Sequence, residues 1–174
     1  MRETTIKSRC FLAPATTTRD VSSLTRISEL VGRHNIYAIS EQVCNRAKPR
    51  KGDRVCFYAV TVGIVADAVI ARNPEYKIDD RIGNPKYPMI LHLANVRTYL
   101  ENPFVLNEKG RTSLREFQTR PHDLSWAWFV RIFHEVLEHD FLVMTHRGSE
   151  AEALVRRQPW EPLPPLVRNQ KLSI

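Results

Sequence analysis

Residues 48–60 read KPRKGDRVCFYAV. The first half of this stretch is cationic and ends at Gly52 and Asp53, residue types that are typical of a turn. The second half, residues 54–60, is apolar and carries β-branched and aromatic side chains, so it predicts a strand. Residues 62–71, VGIVADAVIA, have the same character and follow after a very short link. Together the two segments predict an antiparallel pair of strands.

Hydrophobic periodicity predicts further elements on both sides of this pair. Additional strands are predicted at residues 8–13, 36–39, 89–97 and 103–107, with a closing strand or turn at 140–144. Helices are predicted at residues 21–31, 112–118 and 124–138. The first helix has Asp20 as its expected N-cap and Gly32 as its expected C′ residue. Strands bracketed by helices, without regular β-α-β alternation, indicate an α+β domain with a mixed or closed sheet.

Composition narrows the class of protein and the kind of partner. The chain has 174 residues, of which 43% are hydrophobic, and this suits one domain with a real core. Its net charge of +7 favours an anionic partner, and nucleic acid is the commonest such partner. The sequence has no apolar run long enough to span a membrane and no signal-peptide core near its start. We therefore expect a cytoplasmic protein without a membrane partner.

Signatures of catalysis and of metal binding are missing from the sequence. The three cysteines are widely spaced and form no CxxC pair, which argues against a disulfide framework or a zinc site. Residues 134–139, HEVLEH, resemble a zinc-protease motif, but their two histidines are five positions apart and would leave one helical face. No P-loop, nucleophile elbow, dinucleotide turn or nuclease carboxylate cluster is found. We expect a binding protein that is not an enzyme and uses no cofactor or metal.

The order of these elements resembles the EVE domain family. The family pattern has a lysine and proline, then Gly-Asp, an apolar strand ending in Phe-Tyr, and Gly-Val-x-Gly/Ala. The matching residues here are Pro49, Gly52, Asp53, Phe57, Tyr58, Gly63, Ile64 and Ala66, followed later by Tyr87 and Pro88 and by residues 138–141, EHDF. The resemblance implies a PUA-like fold, a small mixed β-barrel flanked by helices that YTH and ASCH domains share. It assigns residues 1–146 to this domain and leaves residues 147–174 as a proline-rich tail.

The resemblance also implies a function, because EVE domains are thought to bind nucleic acid and often to read a modified base. In the YTH relatives an aromatic cage residue begins the short strand after the first helix, and the matching position is Tyr37, where tryptophan is common. Backbone groups of the next three residues would meet the base edge, and residues 13–15 would form the opposite lip. Tyr58 and Trp126 are added as candidate walls. The predicted base pocket therefore consists of Ala13, Pro14, Ala15, Tyr37, Ala38, Ile39, Ser40, Tyr58 and Trp126.

The basic loop predicted at residues 45–53 is the candidate for contact with phosphates, although a solvated turn would have the same composition. The predicted phosphate-binding residues are Arg46, Lys48, Arg50, Lys51 and Arg54. The leading hypothesis is a module that holds a flipped base of DNA or RNA, such as methylated or hydroxymethylated cytosine or methylated adenine. The alternatives are a small-molecule-binding PUA-like domain and a non-catalytic accessory of a restriction or RNA-processing system.

Overall fold

A mixed seven-stranded sheet organises the chain, which a computed structural model describes at residues 7–15, 21–118 and 126–157. The strands are β1 (Cys10–Ala15), β2 (Ile36–Ile39), β3 (Arg54–Ala59), β4 (Gly63–Ile70), β5 (Glu75–Tyr76), β6 (Met89–Thr98) and β7 (His134–Val136). Their order is β2-β6-β4-β3-β1-β7, with β5 also paired to β6. Strands β1 and β3 are parallel, and the other pairs are antiparallel. The predicted α+β class with a mixed sheet is confirmed.

Short helices cover the sheet. They are α1 (Ser23–Ile27), which continues as the π-helical segment π1 (Ser28–Arg33), then α2 (Glu41–Ala47), α3 (Glu108–Thr112), α4 (Arg115–Gln118), α5 (Ala127–Arg131), α6 (Glu138–Met144) and α7 (Gly148–Arg157). None of the helices in the described ranges has both the length and the apolar character that are needed to cross a membrane.

The strand pair predicted from the opening stretch is confirmed. Strands β3 and β4 form an antiparallel hairpin with a bulge between Phe57 and Tyr58. Gly63 begins β4 with a φ of 134°, and a Cβ there would lie 2.4 Å from the carbonyl oxygen of Phe104. Only glycine fits this position, because the backbone after β6 crosses directly over it. Phe104 makes a single bridge to Ile64, so the strand predicted at 103–107 is not formed.

The sheet is open but strongly curled. Strand β6 pairs with β2 through its first residues and with β4 through its later ones, so it belongs to both halves of the sheet. The pairing with β4 contains a bulge, and Asn95 adopts a φ of 52°. Bulges increase local twist and let a sheet bend. As a result β2, at one end of the strand order, comes back to β1, where the Tyr37 hydroxyl donates a 2.7 Å hydrogen bond to the carbonyl of Pro14.

Both faces of the curled sheet are buried. The inner core contains side chains of β1, β3, β4 and β6 packed under α1 and π1, including Phe11, Ala13, Ile27, Val31, Val55 and Phe57. The outer core contains the alternate side chains of β1 and β3 packed under the C-terminal helices, including Cys10, Leu12, Cys56, Tyr58, Phe129 and Phe141. Neighbouring residues of one strand thus serve opposite layers, as the period of two requires.

The helix predicted at residues 124–138 is wrong. The described part of that range contains α5, which ends at Arg131, and then β7, which pairs with β1. Apolar residues in this range fit a helical spacing, but the open edge of β1 supplies backbone hydrogen bonds that the local pattern cannot show. The strand or turn predicted at 140–144 is instead part of α6. The motif HEVLEH therefore runs from a strand into a helix.

Three smaller predictions also need correction. Residues 45–47, the start of the predicted basic loop at 45–53, belong to α2, whose N-terminus is capped by the Ser40 hydroxyl accepting from the Val43 amide. The N-cap of α1 is Ser22, Asp20 lies outside the described residues, and Gly32 lies within π1 rather than after it. Of the predicted tail, residues 148–157 form α7, which packs against α6, and residues 158–174 lie outside the described part.

Asp53 anchors the turn that precedes β3. Its side chain is 1% exposed and accepts hydrogen bonds from the backbone amides of Arg9 and Arg50 and from the Arg9 guanidinium, each at 3.0 Å. We expect Asp53→Asn to lower the free energy of unfolding by about 3 kcal/mol, because the half-buried Arg9 guanidinium loses its buried counter-charge at 3.0 Å and keeps only the exposed Glu135 at 3.8 Å. Urea denaturation measures this loss. Asp80→Asn, at an exposed carboxylate, is the control, and equal stability of the two variants would contradict the assignment.

Candidate functional site

A cavity of about 290 Å³ lies between the end of β1, strand β2, the helical segment α1–π1 and the start of α2. Two later segments, around residues 82–87 and 131–133, complete its wall. Most of the lining is aliphatic or aromatic, including Ile27, Leu30, Val31, Ile39, Val43, Ile82, Ile132 and Phe133. The volume is at the lower end of the range for pockets that hold small ligands. The cavity therefore suits a compact, largely apolar group such as a single ring system.

Six of the predicted pocket residues line this cavity. They are Pro14, Ala15, Tyr37, Ala38, Ile39 and Ser40. The two lips come from distant parts of the sequence, and the curl of the sheet brings them together. The geometry thus assembles the central part of the predicted pocket.

Three other predicted pocket residues lie elsewhere, and their assignment is corrected. Ala13 is completely buried in the inner core, behind the cavity wall. Tyr58 is 6% exposed and lies in the outer core, because it follows Phe57 in β3 and points to the opposite face. Trp126 also packs on the outer core, where the Arg111 guanidinium lies 5.1 Å from its ring centroid. The sheet separates Tyr58 and Trp126 from the cavity.

Tyr37 is held rigidly in the wall. Its hydroxyl is bound to Pro14, and its ring meets Phe57 edge-on at 5.2 Å between centroids. Burial raises the pKa of Tyr37 well above its usual value, and nearby Tyr87 adds to the rise while Arg26 opposes it. The phenol is therefore neutral at all physiological pH values and acts as a hydrogen-bond donor to the backbone. Its ring edge and face are what remain for a ligand.

Strand β2 offers backbone groups beside the cavity. The Leu93 amide donates to the Asn35 carbonyl, and Tyr37 lies opposite Leu91. In an antiparallel pair, alternate residues face the partner strand, so residues 35, 37 and 39 bond to β6. The N–H and C=O of Ala38 consequently point away from β6, to the open edge of β2. The residue next to Tyr37 thus presents one backbone hydrogen-bond donor and one acceptor at the open edge of β2.

Two arginines that had not been predicted also line the cavity. Arg26 is half-buried and donates to the carbonyl of Ile82 at 3.2 Å, and Arg131 is exposed at the rim. Tyr87 and Phe133 add aromatic surface to the wall. Tyr87 belongs to the family pattern quoted above, which was a signal for it. The two arginines had no such signal, because one lies on the first helix and the other lay inside a helix that was predicted too long.

The basic cluster is not part of the cavity wall. The side chains of Arg46, Lys48, Arg50 and Lys51 are exposed, but none lines the cavity. The register of the parallel pair joins Cys10 to Arg54, whereas the cavity lies at Pro14 and Ala15, so the start of β3 is roughly 13–16 Å from the cavity along β1 at about 3.3 Å per residue. Arg46 is nearer, because it follows the cavity-lining Val43 by one turn of α2. The predicted charged lip therefore does not line the cavity, although Arg46 lies on the helix that borders it.

Arg54 is not available for phosphate. Its guanidinium donates a 2.6 Å hydrogen bond to Glu138 and lies 5.1 Å from the centroid of the Phe141 ring. These contacts join β3 to α6 in the outer layer. The prediction for Arg54 is wrong, because a residue at the start of a buried strand serves the packing of that strand. Among the described residues, no group of three His, Cys, Asp or Glu side chains is placed to hold a metal ion.

Comparison with known proteins finds no family model that matches the chain and no match among curated proteins. The solved structures that match the chain include the following two. The NMR structure of Rpa0253 from Rhodopseudomonas palustris is 16% identical, with a TM-score of 0.49 over 82% of this chain and 94% of that one. The crystal structure of Atu2648 from Agrobacterium tumefaciens is 12% identical, with a TM-score of 0.45 over 81% and 93%. At these TM-scores the similarity assigns neither a family nor a function.

The hydroxyl of Tyr37 should contribute measurably to stability. We expect Tyr37→Phe to lower the free energy of unfolding by about 1–2 kcal/mol, because the half-buried Pro14 carbonyl loses its donor. Tyr76→Phe is the matched control, since Tyr76 is 65% exposed. Urea denaturation of both variants measures the difference. Identical midpoints for the two variants would show that the bond to Pro14 does not hold the sheet closed.

Proposed function

We propose that this chain is a PUA-like, EVE-type module that holds a flipped base of DNA or RNA in the cavity beside Tyr37. The observation that carries the proposal is the convergence of six expected residues from β1, β2 and the start of α2 on one small cavity. No catalytic step is proposed, since the described lining offers aromatic, aliphatic and cationic groups and no acid–base pair.

The chemistry of the wall suits a heteroaromatic ring. Tyr37, Tyr87 and Phe133 provide aromatic surface, and stacking on such side chains stabilises a bound base by about 1–3 kcal/mol. Extrusion of a base from a strand costs a few kcal/mol, which a fitted pocket recovers. The free backbone groups of Ala38 can bond to the base edge. Aliphatic neighbours such as Ile82 and Ile132 favour a base that carries an additional methyl group.

The basic turn then contacts the strand at a distance from the flipped base. Phosphates that flank the flipped nucleotide along the same strand are the proposed targets of this turn. The exposed side chains of Arg46, Lys48, Arg50 and Lys51 are in position to act on such flanking phosphates. Contacts of this kind position the strand without reading its sequence.

A small-molecule ligand is the second candidate, and one observation favours it. The described wall is largely apolar, and the densest basic cluster is not at its mouth. A free heteroaromatic compound would need only the cavity. The two candidates differ in what they require of the basic turn, and the next two experiments separate them.

Fluorescence anisotropy tests the base-binding proposal directly. The probes are short single- and double-stranded DNA and RNA with plain, 5-methyl- and 5-hydroxymethyl-cytosine and N6-methyl-adenine bases, at two salt concentrations. We expect one modification to bind at least tenfold more tightly than its plain counterpart. Tyr37→Ala should abolish this preference because the ring wall is lost, whereas Tyr37→Phe should retain it and the exposed-site variant Tyr76→Ala should be unaffected. A preference that survives Tyr37→Ala would contradict the assignment of the pocket.

The basic turn is tested by the salt dependence of binding. We expect the triple variant Lys48→Gln, Arg50→Gln, Lys51→Gln to weaken binding of all oligonucleotides alike. It should also lower the slope of log K against log salt by about 0.7–0.9 for each phosphate that the variant no longer neutralises. The triple variant Lys109→Gln, Arg156→Gln, Arg157→Gln removes the same charge from exposed positions on the outer layer and serves as control. Equal slopes in the two triple variants would show that the basic turn is only solvated and would favour the small-molecule ligand.

A further inference from the structure

We propose that Arg26 and Arg131 form an anion clamp, which binds a phosphate of the nucleotide whose base occupies the cavity. This inference rests on the proposed function and deepens it, because it places the phosphate contact that matters most at the cavity itself. The basic turn, which the sequence had suggested for this role, is left with phosphates further along the strand.

The first argument is the charge of the cavity wall. Among the described residues that line it, Arg26 and Arg131 carry positive charges and no Asp or Glu is present. A cavity with two guanidinium groups and no carboxylate has a positive potential, and its apolar wall screens that potential less than water does. A neutral, purely apolar ligand would leave both charges without a counter-charge.

The second argument is the contrast with other arginines of the same fold. Arg9, Arg54 and Arg147 are also half-buried, and each lies within 3.2 Å of a carboxylate oxygen, on Asp53, Glu138 and Asp67 respectively. Arg26 bonds instead to a neutral carbonyl, that of Ile82, and no carboxylate in the described residues pairs with it. Half-buried charges normally have a partner of opposite sign. Arg26, which lines the cavity, therefore lacks the carboxylate partner that the other three arginines have.

The third argument concerns which polar side chains at the mouth of the cavity are free to bind an anion. Arg131 is exposed, and within the described ranges no hydrogen bond or ion pair engages its side chain. Tyr37 cannot serve as the polar anchor, since its hydroxyl is committed to Pro14. A flipped base enters with its own sugar and phosphates at the mouth. The planar guanidinium fork binds phosphate oxygens two at a time, so this pair matches the anion that the ligand brings.

The test combines protein variants with a neutral phosphate. Oligonucleotides with each of the bases named above are prepared twice, once with normal linkages and once with methylphosphonate at both linkages that flank the central base. Their dissociation constants are measured with the wild-type protein, with Arg26→Gln/Arg131→Gln, and with Lys109→Gln/Arg156→Gln as a variant of equal charge. Melting temperatures of all three proteins verify that each is folded.

We expect methylphosphonate to weaken binding to the wild-type protein and to the control variant by at least tenfold. In Arg26→Gln/Arg131→Gln, the same change should alter affinity by less than twofold, because the groups that sense the phosphate are gone. The preference for a modified base should persist in this variant, since Tyr37 is intact. Equal losses in all three proteins would overturn the clamp while leaving base selectivity, and hence the proposed function, standing.

A second readout separates failure of the clamp from failure of the proposed function. If no oligonucleotide binds the wild-type protein, the proposed function is overturned. The thermal shift caused by nucleosides and by nucleoside 5′-monophosphates then decides the clamp. A shift with the monophosphates alone, lost in Arg26→Gln/Arg131→Gln, would support the clamp with a free nucleotide as ligand. No difference between nucleosides and monophosphates would overturn it.

Discussion

The hydrogen bond from Tyr37 to the carbonyl of Pro14 is the interaction on which the geometry of the site depends. Among the residues that the structure describes, β2 pairs with β6 alone, and no backbone ladder joins it to β1. The 2.7 Å bond and the edge contact of the same ring with Phe57 hold the two lips at a fixed distance. One side chain therefore closes the curl of the sheet and forms a wall of the cavity, so the width of the cavity and the shape of the sheet are set together.

The distribution of acidic side chains explains where the surplus positive charge acts. Each of the buried carboxylates Asp53, Asp67 and Asp140 has partners within the fold. Asp53 binds Arg9, and Asp67 forms ion pairs with Arg97 and Arg147. Asp140 accepts hydrogen bonds from the backbone amides of Arg115 and Glu116 at the start of α4. These three carboxylates therefore stabilise turns and helices of the fold. Exposed or cavity-lining cations remain on α2, on the basic turn and at the cavity, and further exposed cations such as Lys109, Arg156 and Arg157 lie on the outer layer.

The parts of the fold that depend on local pattern could be predicted from the sequence. The β3–β4 hairpin, the helical stripe of residues 21–31 and the strand with Tyr37 all have their signals within a few residues. The errors arose where a distant segment decides the outcome. Residues 134–136 form a strand because β1 has an open edge with which they pair. Strand alternation predicts that Tyr58 and Phe57 lie on opposite faces, but it does not predict which face borders the cavity, and Tyr58 lies in the outer layer. Arg26 and Arg131 are invisible to local pattern, since only the tertiary fold brings them to one cavity.

The position of β1 in the sheet has a consequence for synthesis of the protein. This strand is the first of the described strands in chain order, yet it pairs on one side with β3, across a sequence separation of about 44 residues, and on the other with β7 at residues 134–136. Pairings of such high separation form late in folding. The cavity also needs residues 131–133 for its wall. The cavity is therefore incomplete in a nascent chain until residues 131–133 have been made, and a translation product that stops earlier lacks part of its wall.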